Sequence, residues 1–144
     1  MCIRDSKRTE QGWTVLSALI TADEDPNVRA EAANALASYG VERAWPLLRT
    51  AFEVDAAWLV RCSILSALAE QPDIDLAWLL DLATMAIADV DGTVRVSGAE
   101  ILSRIVREGG TDPIAVQARG LLQSLQQDSD HRVVAAVLNG LQAS

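Results

Sequence analysis

The chain has 144 residues and a formal net charge of −8, and half of its residues are hydrophobic while only 4% are aromatic. This length fits one domain with a continuous core, and the hydrophobic content excludes a disordered chain. The acidic balance argues against nucleic acid and anionic membrane surfaces as partners, because both are bound through clustered lysine and arginine. No apolar run reaches the roughly 18 residues that a membrane span requires.

The cysteines and the first residues indicate where the protein is found. Cys2 and Cys62 are the two cysteines, and they supply neither a disulfide framework nor a metal cluster. No apolar stretch follows a basic start, as it would in a secretory signal, so a reducing cytoplasm is expected. Residues 1–6, with the sequence MCIRDS, look like the translation of an adapter used in sequencing libraries. The alternative is a short native tail.

The first structured segment is predicted to be a helical hairpin over about residues 10–40. Apolar residues recur at helical spacing in its first helix, which is expected to end near Asp23. These residues are Trp13, Leu16, Leu19 and Ile20. In the second helix Asp25 is expected to cap the free N–H groups, Pro26 to take the first position and Gly40 to end the helix in a left-handed conformation.

Three further copies of this hairpin follow, at about residues 41–71, 73–108 and 112–144. The copies align on four valines, which are Val28, Val60, Val94 and Val133. Their spacings of 32, 34 and 39 residues are typical of a stacked solenoid. Pro46 is expected near the start of a helix, and the segment from Gly109 to Pro113 is expected to be the longest linker and to explain the last spacing.

The turn before each second helix carries a family resemblance. Asp25-Pro26-Asn27-Val28-Arg29 and Asp91-Gly92-Thr93-Val94-Arg95 resemble HEAT repeats, and more narrowly the HEAT-like repeats of the phycobilisome lyase type. The resemblance covers about residues 10–144. It implies a right-handed α-solenoid of about four hairpins and about eight helices. If the first six residues come from an adapter, the true N-terminus is missing, and residues 7–144 are expected to be the C-terminal part of a longer array.

The resemblance also implies a ladder of aspartates and arginines that locks the turns together. Asp25 and Arg29, like Asp91 and Arg95, are four residues apart, where opposite charges meet on a helix. Two copies depart from this pattern. The second has Ala57 at the aspartate position with Asp55 displaced nearby, and the fourth has Val134 at the arginine position with Arg132 shifted. The ladder is therefore expected to be imperfect in these copies.

No residue pattern indicates catalysis, a metal site or a cofactor site. His131, the one histidine, lies in a turn, and a solvated turn residue is favoured over a catalytic base. Cys62 adjoins Arg61 near a helix start, yet a packing role is favoured over a reactive thiol. The tryptophans are expected to pack in the core or between hairpins, with exposed anchors for a partner as the alternative.

The predicted binding surface is a strip on the second helices, which line the concave side in arrays of this kind. It comprises the residues three, six and ten positions after each aligned valine, apart from Ala136 and Ala143, and we call it the polar strip. Its residues are Glu31, Asn34, Ser38, Ser63, Ser66, Glu70, Ser97, Glu100, Arg104 and Asn139. Because the strip is polar and mildly acidic, it suits a polar or basic segment of another protein.

Two hypotheses for function follow. The favoured one is a non-enzymatic scaffold that binds a partner protein through the concave face. The alternative, implied by the resemblance alone, is a bilin lyase subunit or a phycobilisome-associated factor that handles bilin chromophores, with a bilin or phycobiliprotein as partner and a cyanobacterium as the source.

Overall fold

A computed structural model of the chain describes residues 9–142, and it is entirely helical over this range. Residues 1–6, which the sequence sets apart, and residue 143 lie outside the described part. The eight helices are α1 (Glu10–Ala22), α2 (Pro26–Ala37), α3 (Val41–Val54), α4 (Trp58–Ala69), α5 (Leu76–Ala86), α6 (Gly92–Gly109), α7 (Pro113–Ser124) and α8 (His131–Gln142). The prediction of an all-α chain of about eight helices is confirmed for these residues.

The chain divides into two compact units, Met1–Asp73 and Ile74–Ser144. The first unit contains the hairpins α1–α2 and α3–α4, and the second contains α5–α6 and α7–α8. Inside each unit the second helices of the two hairpins, α2 with α4 and α6 with α8, pack closely together, whereas the first helices meet less extensively. This arrangement confirms the prediction of stacked helical hairpins of the α-solenoid class.

Aspartates precede several of the helices, and the predicted cap at Asp25 is one of them. A carboxylate oxygen of the residue before the helix accepts a hydrogen bond from a backbone N–H of the first turn in α2, α5, α6 and α7. For Asp25 the donor is the N–H of Asn27 at 2.9 Å. Pro26 and Pro113 occupy the first helical position, where the missing N–H would have no helical partner.

Helix α3 begins earlier than expected. Gly40, with φ +117°, is the residue before it, and Pro46 lies in its interior rather than near its start. Proline cannot donate a hydrogen bond to the preceding turn, so the sequence pattern favours a start beside it. The helix nevertheless extends back to Val41 because Val41 and Ala44 are buried, and this burial stabilises the additional turn.

The prediction about the linker from Gly109 to Pro113 is wrong. Gly109 is the last residue of α6 and Pro113 is the first of α7, so this connection is among the shortest. The long spacing between Val94 and Val133 comes instead from α6, which has 18 residues where α2, α4 and α8 have 12. Ile105 and Val106 are buried, and their burial explains why the helix continues.

Small residues let the helices of the second unit approach closely. A Cβ atom added to Gly98 would lie 2.8 Å from the Cβ of Ala86, and one added to Gly140 would lie 2.0 Å from the Oγ of Ser103. Gly98 and Ala86 join α6 to α5, while Gly140 and Ser103 join α8 to α6. These contacts set the distance from α6 to α5 of the same hairpin and from α6 to α8 of the next hairpin.

Candidate functional site

In the first unit an arginine links the turns that precede the two second helices. Arg29 of α2 donates from Nε to Oδ2 of Asp55 at 2.9 Å and from Nη2 to Oδ1 of Asp55 at 3.2 Å. Its Nη1 donates to the main-chain oxygens of Asp23 and Glu24 at 2.8 and 3.2 Å. The fork of one guanidinium therefore joins the first hairpin to the carboxylate of the second. The pKa of Arg29 is raised, chiefly by the hydrogen bond to Asp55.

The second unit repeats this geometry. Arg95 of α6 donates from Nε and Nη2 to the two carboxylate oxygens of Asp128 at 3.0 and 3.2 Å. Its Nη1 donates to the main-chain oxygens of Asp89 and Val90 at 3.0 and 3.1 Å. The Arg95 and Asp128 side chains are 16% and 10% exposed, so this pair is well shielded from water and links the two hairpins of the unit.

The predicted ladder exists, but its partners differ from those expected. Asp25 and Asp91 cap α2 and α6, and each arginine instead binds the aspartate of the following hairpin in its unit. Asp55, which the alignment placed away from the aspartate position, accepts Arg29 in the same way as Asp128 accepts Arg95. The signal in the sequence was an aspartate five residues before each aligned valine, found at Asp23, Asp55, Asp89 and Asp128. Its carboxylate in each copy accepts the backbone N–H two residues later, at 2.8–2.9 Å.

The fourth hairpin departs from the ladder as predicted. Val134 replaces the arginine, and Arg132 bonds through Nη2 to Asp130 at 2.8 Å and through Nη1 to the hydroxyl of Thr93 at 3.2 Å. Hydrogen bonds from the side chain and the backbone N–H of Arg132 lower the pKa of Asp130 from 3.8 to about 2. Arg132 therefore pairs within its own turn and with Thr93 of the preceding hairpin, and it makes no ladder contact of the Arg29 kind.

The lowered pKa values of Asp128 and Asp130 predict that the second unit loses stability in acid. Burial alone would raise the pKa of Asp128, but the hydrogen bonds from Arg95 and the N–H of Asp130 outweigh it, and the pKa is lowered. A carboxyl group with a lowered pKa in the folded state stabilises the fold above its unfolded pKa, and the stabilisation is lost as pH falls through the folded pKa. For Asp130 this window runs from 3.8 down to about 2.

We therefore expect the melting temperature of the second unit to fall between about pH 4 and pH 2. Asp128→Asn is expected to lower the melting temperature at pH 7 and to show a smaller further fall in acid, because that part of the stabilisation is already absent. Melting followed by circular dichroism from pH 7 to pH 2 measures both. Glu100→Gln, an exposed change on α6, is the control. A fall in acid that is equally steep in Asp128→Asn would show that Asp128 is not responsible.

In the first unit the polar strip lies on α2, α4 and their C-terminal caps. Glu31, Asn34, Ser66 and Glu70 are exposed, and Ser63 is half-buried. Ser38 is half-buried too, and its hydroxyl donates to the main-chain oxygen of Ala35 at 2.6 Å. Because α2 and α4 pack side by side, their parts of the strip are neighbours.

In the second unit fewer side chains of the polar strip are available to a partner. Glu100 and Asn139 are exposed, while Ser97 is half-buried. Arg104 bonds from Nε to Oε2 of Glu108 at 2.6 Å, so its charge is engaged within α6. The first unit therefore presents the more available acidic surface.

The structure places the other residues singled out by sequence on α1, α4 and α8. His131 is exposed at the first position of α8, and Cys62 is half-buried in α4. Trp58 is 47% exposed at the start of α4. Trp13 meets Tyr39 edge to face with ring centroids 5.4 Å apart, which agrees with a packing role.

A cluster around Trp13 was not predicted from the sequence. The guanidinium carbon of Arg43 lies 4.1 Å from the centroid of the Trp13 ring, and Arg43 also forms two hydrogen bonds to Glu10 at 2.7 and 2.8 Å. The hydrogen bond to Arg43 lowers the pKa of Glu10. The cluster joins α1 to α3, and a separation of 33 residues between the charged partners left no local signal for it.

Residues 9–142 also bear on possible metal and membrane sites. Among these residues no group of three or more His, Cys, Asp or Glu could hold a metal ion. None of the helices in this range is long and apolar enough to cross a membrane. A cavity of about 190 Å³ in the first unit lies beside the ladder and is lined by Ile20, Thr21, Arg29, Ala51, Val54, Asp55 and Ala56.

The comparisons with known proteins agree with this architecture for part of the chain. Residues 5–69 match the family model for HEAT repeats, so the first two hairpins are similar to that family. HEAT repeats in general mediate interactions between proteins. No curated protein and no solved structure was found to match the chain.

Proposed function

We propose that the protein is a non-enzymatic interaction module of the cytoplasm, and that the polar strip holds a polar or basic segment of another protein. The observation that carries this proposal is that two acidic residues of the polar strip in the first unit are exposed and form no ion pair. Glu31 and Glu70 are exposed, and neither has an ion-pair partner within residues 9–142. Both carboxylates are therefore available to a cationic ligand.

The contrast with the turns supports this role. There the carboxylates of Asp55 and Asp128 are engaged by arginines and shielded from water, which is typical of groups that hold the fold together. On the strip, by comparison, the carboxylates of Glu31, Glu70 and Glu100 belong to exposed residues and make no ladder. Such a surface contributes to partner choice and association rate through complementary charge.

The geometry of the first unit supports an extended ligand. Glu31 and Asn34 are three residues apart on α2, and Ser63 and Ser66 are three residues apart on α4, so each pair shares one helix face. Since α2 and α4 pack side by side, a segment crossing both helices meets hydroxyl and amide groups flanked by carboxylates. Solenoid arrays use extended surfaces of this kind for binding.

Charge reversal tests the proposal. A basic peptide is first selected from a random library on the immobilised protein, and its affinity is then measured for Glu31→Lys/Glu70→Lys. We expect binding to weaken about tenfold, equivalent to roughly 1.4 kcal/mol, and to weaken further as salt is added. The control, Glu24→Lys/Glu42→Lys, changes the net charge equally, from −8 to −4, at exposed residues away from the strip. Equal losses in both variants would contradict the proposal, because only net charge would matter.

The bilin-handling alternative remains a prediction that rests on the resemblance of the turns to phycobilisome lyase-type repeats. The cavity beside the ladder, at about 190 Å³, is smaller than the roughly 300–1,000 Å³ of sites that enclose small organic ligands. This alternative is tested by the visible absorption spectrum of a free bilin. The spectrum is recorded for the bilin alone and after the protein is added, with or without an apo-phycobiliprotein. An unchanged spectrum rejects this alternative.

A further inference from the structure

The cavity beside the ladder in the first unit is lined by both apolar and charged side chains. Its apolar lining includes Ile20 of α1 and Ala51 and Val54 of α3. Ile20 and Ala51 are almost fully buried, whereas Val54 is 70% exposed. Its charged lining is the ladder pair of Arg29 and Asp55. An occupant therefore has apolar surface to cover and two charged groups to satisfy.

The ladder pair has one donor and one acceptor site left for an occupant. Among the residues that the structure describes, Nη1 of Arg29 bonds to two main-chain oxygens, while Nε and Nη2 each bond once to Asp55. One N–H of Nη2 therefore has no acceptor in this range. Oδ2 of Asp55 accepts from Nε alone, and a carboxylate oxygen has room for two donors. Since the pair contains both charges, it favours a neutral group that donates and accepts, such as a hydroxyl.

The volume of the cavity selects the size of that occupant. At about 190 Å³ it suits one aromatic ring, since an engineered cavity of about 150 Å³ in another protein binds benzene. Tyrosine combines such a ring with a neutral hydroxyl. Phenylalanine would displace water from the ladder pair without replacing its hydrogen bonds, which costs free energy. Tryptophan donates but does not accept, and serine and threonine have no ring.

The apolar lining is a feature of the first unit and does not follow from the ladder, which both units have. When the copies are aligned on the ladder acids Asp55 and Asp128, the position of Val54 holds Gln127 in the second unit, and the position of Ala51 holds Ser124. Both changes replace an apolar side chain by a polar one. The combination of apolar surface with an arginine–aspartate pair therefore belongs to the first unit.

We propose that this cavity is a docking pocket for a tyrosine side chain of a partner protein. The ring packs on Ile20, Ala51 and Val54, and the hydroxyl donates to Oδ2 of Asp55 and accepts from Nη2 of Arg29. The site is separate from the polar strip, because no residue of the strip lines the cavity.

Two small probes that differ only in the hydroxyl test the proposal. N-acetyltyrosinamide and N-acetylphenylalaninamide are titrated into the ¹⁵N-labelled protein, and the amide signals of the cavity residues are followed by NMR. We expect the tyrosine probe to shift the signals of Thr21, Val54 and Ala56 to saturation. The phenylalanine probe is expected to bind about tenfold more weakly, because it lacks the hydrogen bonds to a charged pair.

A matched pair of valine variants locates the site. Val54→Gln introduces the residue that the second unit has at this position, and Val54 is exposed enough for the fold to tolerate the change. It is expected to weaken binding of the tyrosine probe about fourfold, the loss that corresponds to one buried CH₂ group. Val15→Gln alters a valine of α1 that is 52% exposed and lies outside the cavity lining, and it is expected to leave binding unchanged.

Four results would overturn the proposal. Equal binding of the two probes would mean that the hydroxyl is not recognised. Equal losses in Val54→Gln and Val15→Gln would place the site elsewhere, and a titration that leaves the cavity signals unshifted would exclude the cavity. Binding of p-cresol without binding of N-acetyltyrosinamide would assign the cavity to free small phenols instead of a partner's side chain.

Discussion

Leu36→Ala is expected to destabilise the first unit by about 2–5 kcal/mol. Leu36 is fully buried in α2, and its removal leaves a cavity where the second helix meets its neighbours. Because whole domains are stable by only about 5–15 kcal/mol, the loss is large. Urea unfolding followed by tryptophan fluorescence measures it, since Trp13, Trp45 and Trp58 all belong to this unit.

The aligned leucine of the last hairpin provides a control of the same residue type. Leu141 is only half-buried in α8, so Leu141→Ala removes the same atoms from a more open site. We expect it to cost less than Leu36→Ala, because the loss scales with the apolar area and cavity involved. Equal losses at the two positions would contradict this account, because the difference in burial would then not decide the cost of the change.

Gly140→Ala is expected to destabilise the second unit by about 1–3 kcal/mol. The new Cβ would meet the Ser103 side chain at 2.0 Å from Oγ and 2.9 Å from Cβ, and the Leu122 side chain at 3.2 Å. Ser103 does not yield easily, since it is buried and its hydroxyl donates to the main-chain oxygen of Ala99 at 2.9 Å. Relief therefore requires α8 to move away from α6. Thermal unfolding followed by circular dichroism measures the effect.

The matched change, Gly120→Ala, is expected to have the opposite sign. Gly120 lies inside α7, and no neighbouring atom lies within 4 Å of an added Cβ. Alanine stabilises a helix interior by about 0.8–1.0 kcal/mol relative to glycine, and nothing here opposes that gain. A stabilising effect of Gly140→Ala would contradict the close approach of α6 and α8.

Most of the fold could be predicted from local sequence patterns. The helical spacing of apolar residues and the aspartate and proline at helix starts act within one or two turns, so they are visible without knowledge of the packing. The start of α3 and the length of α6 escaped prediction for the opposite reason. Burial of Val41 stabilises the turn of α3 that precedes Pro46, and burial of Ile105 stabilises α6 as far as Gly109. Burial depends on neighbours that are distant in sequence.

The polar contacts show the same limit. The sequence predicted an arginine ladder but paired Arg29 with Asp25, four residues away, whereas the structure pairs it with Asp55, 26 residues away. Spacing on one helix identifies groups that can meet, but it does not rank them against groups from a neighbouring hairpin. The polar strip was proposed from alignment of the copies, and exposure agrees for Glu31, Asn34, Ser66 and Glu70. Binding itself has no local signature in the chain.

Hydrogen exchange on the protein with its selected basic peptide tests the central claim most directly. If the polar strip of the first unit binds the peptide, backbone amides of α2 and α4 will gain protection on binding, and those of α1 and α3 will not. The protection will be reduced in Glu31→Lys/Glu70→Lys at the same peptide concentration. Protection confined to α1 and α3 would contradict the account, since the ligand would then lie on the first helices.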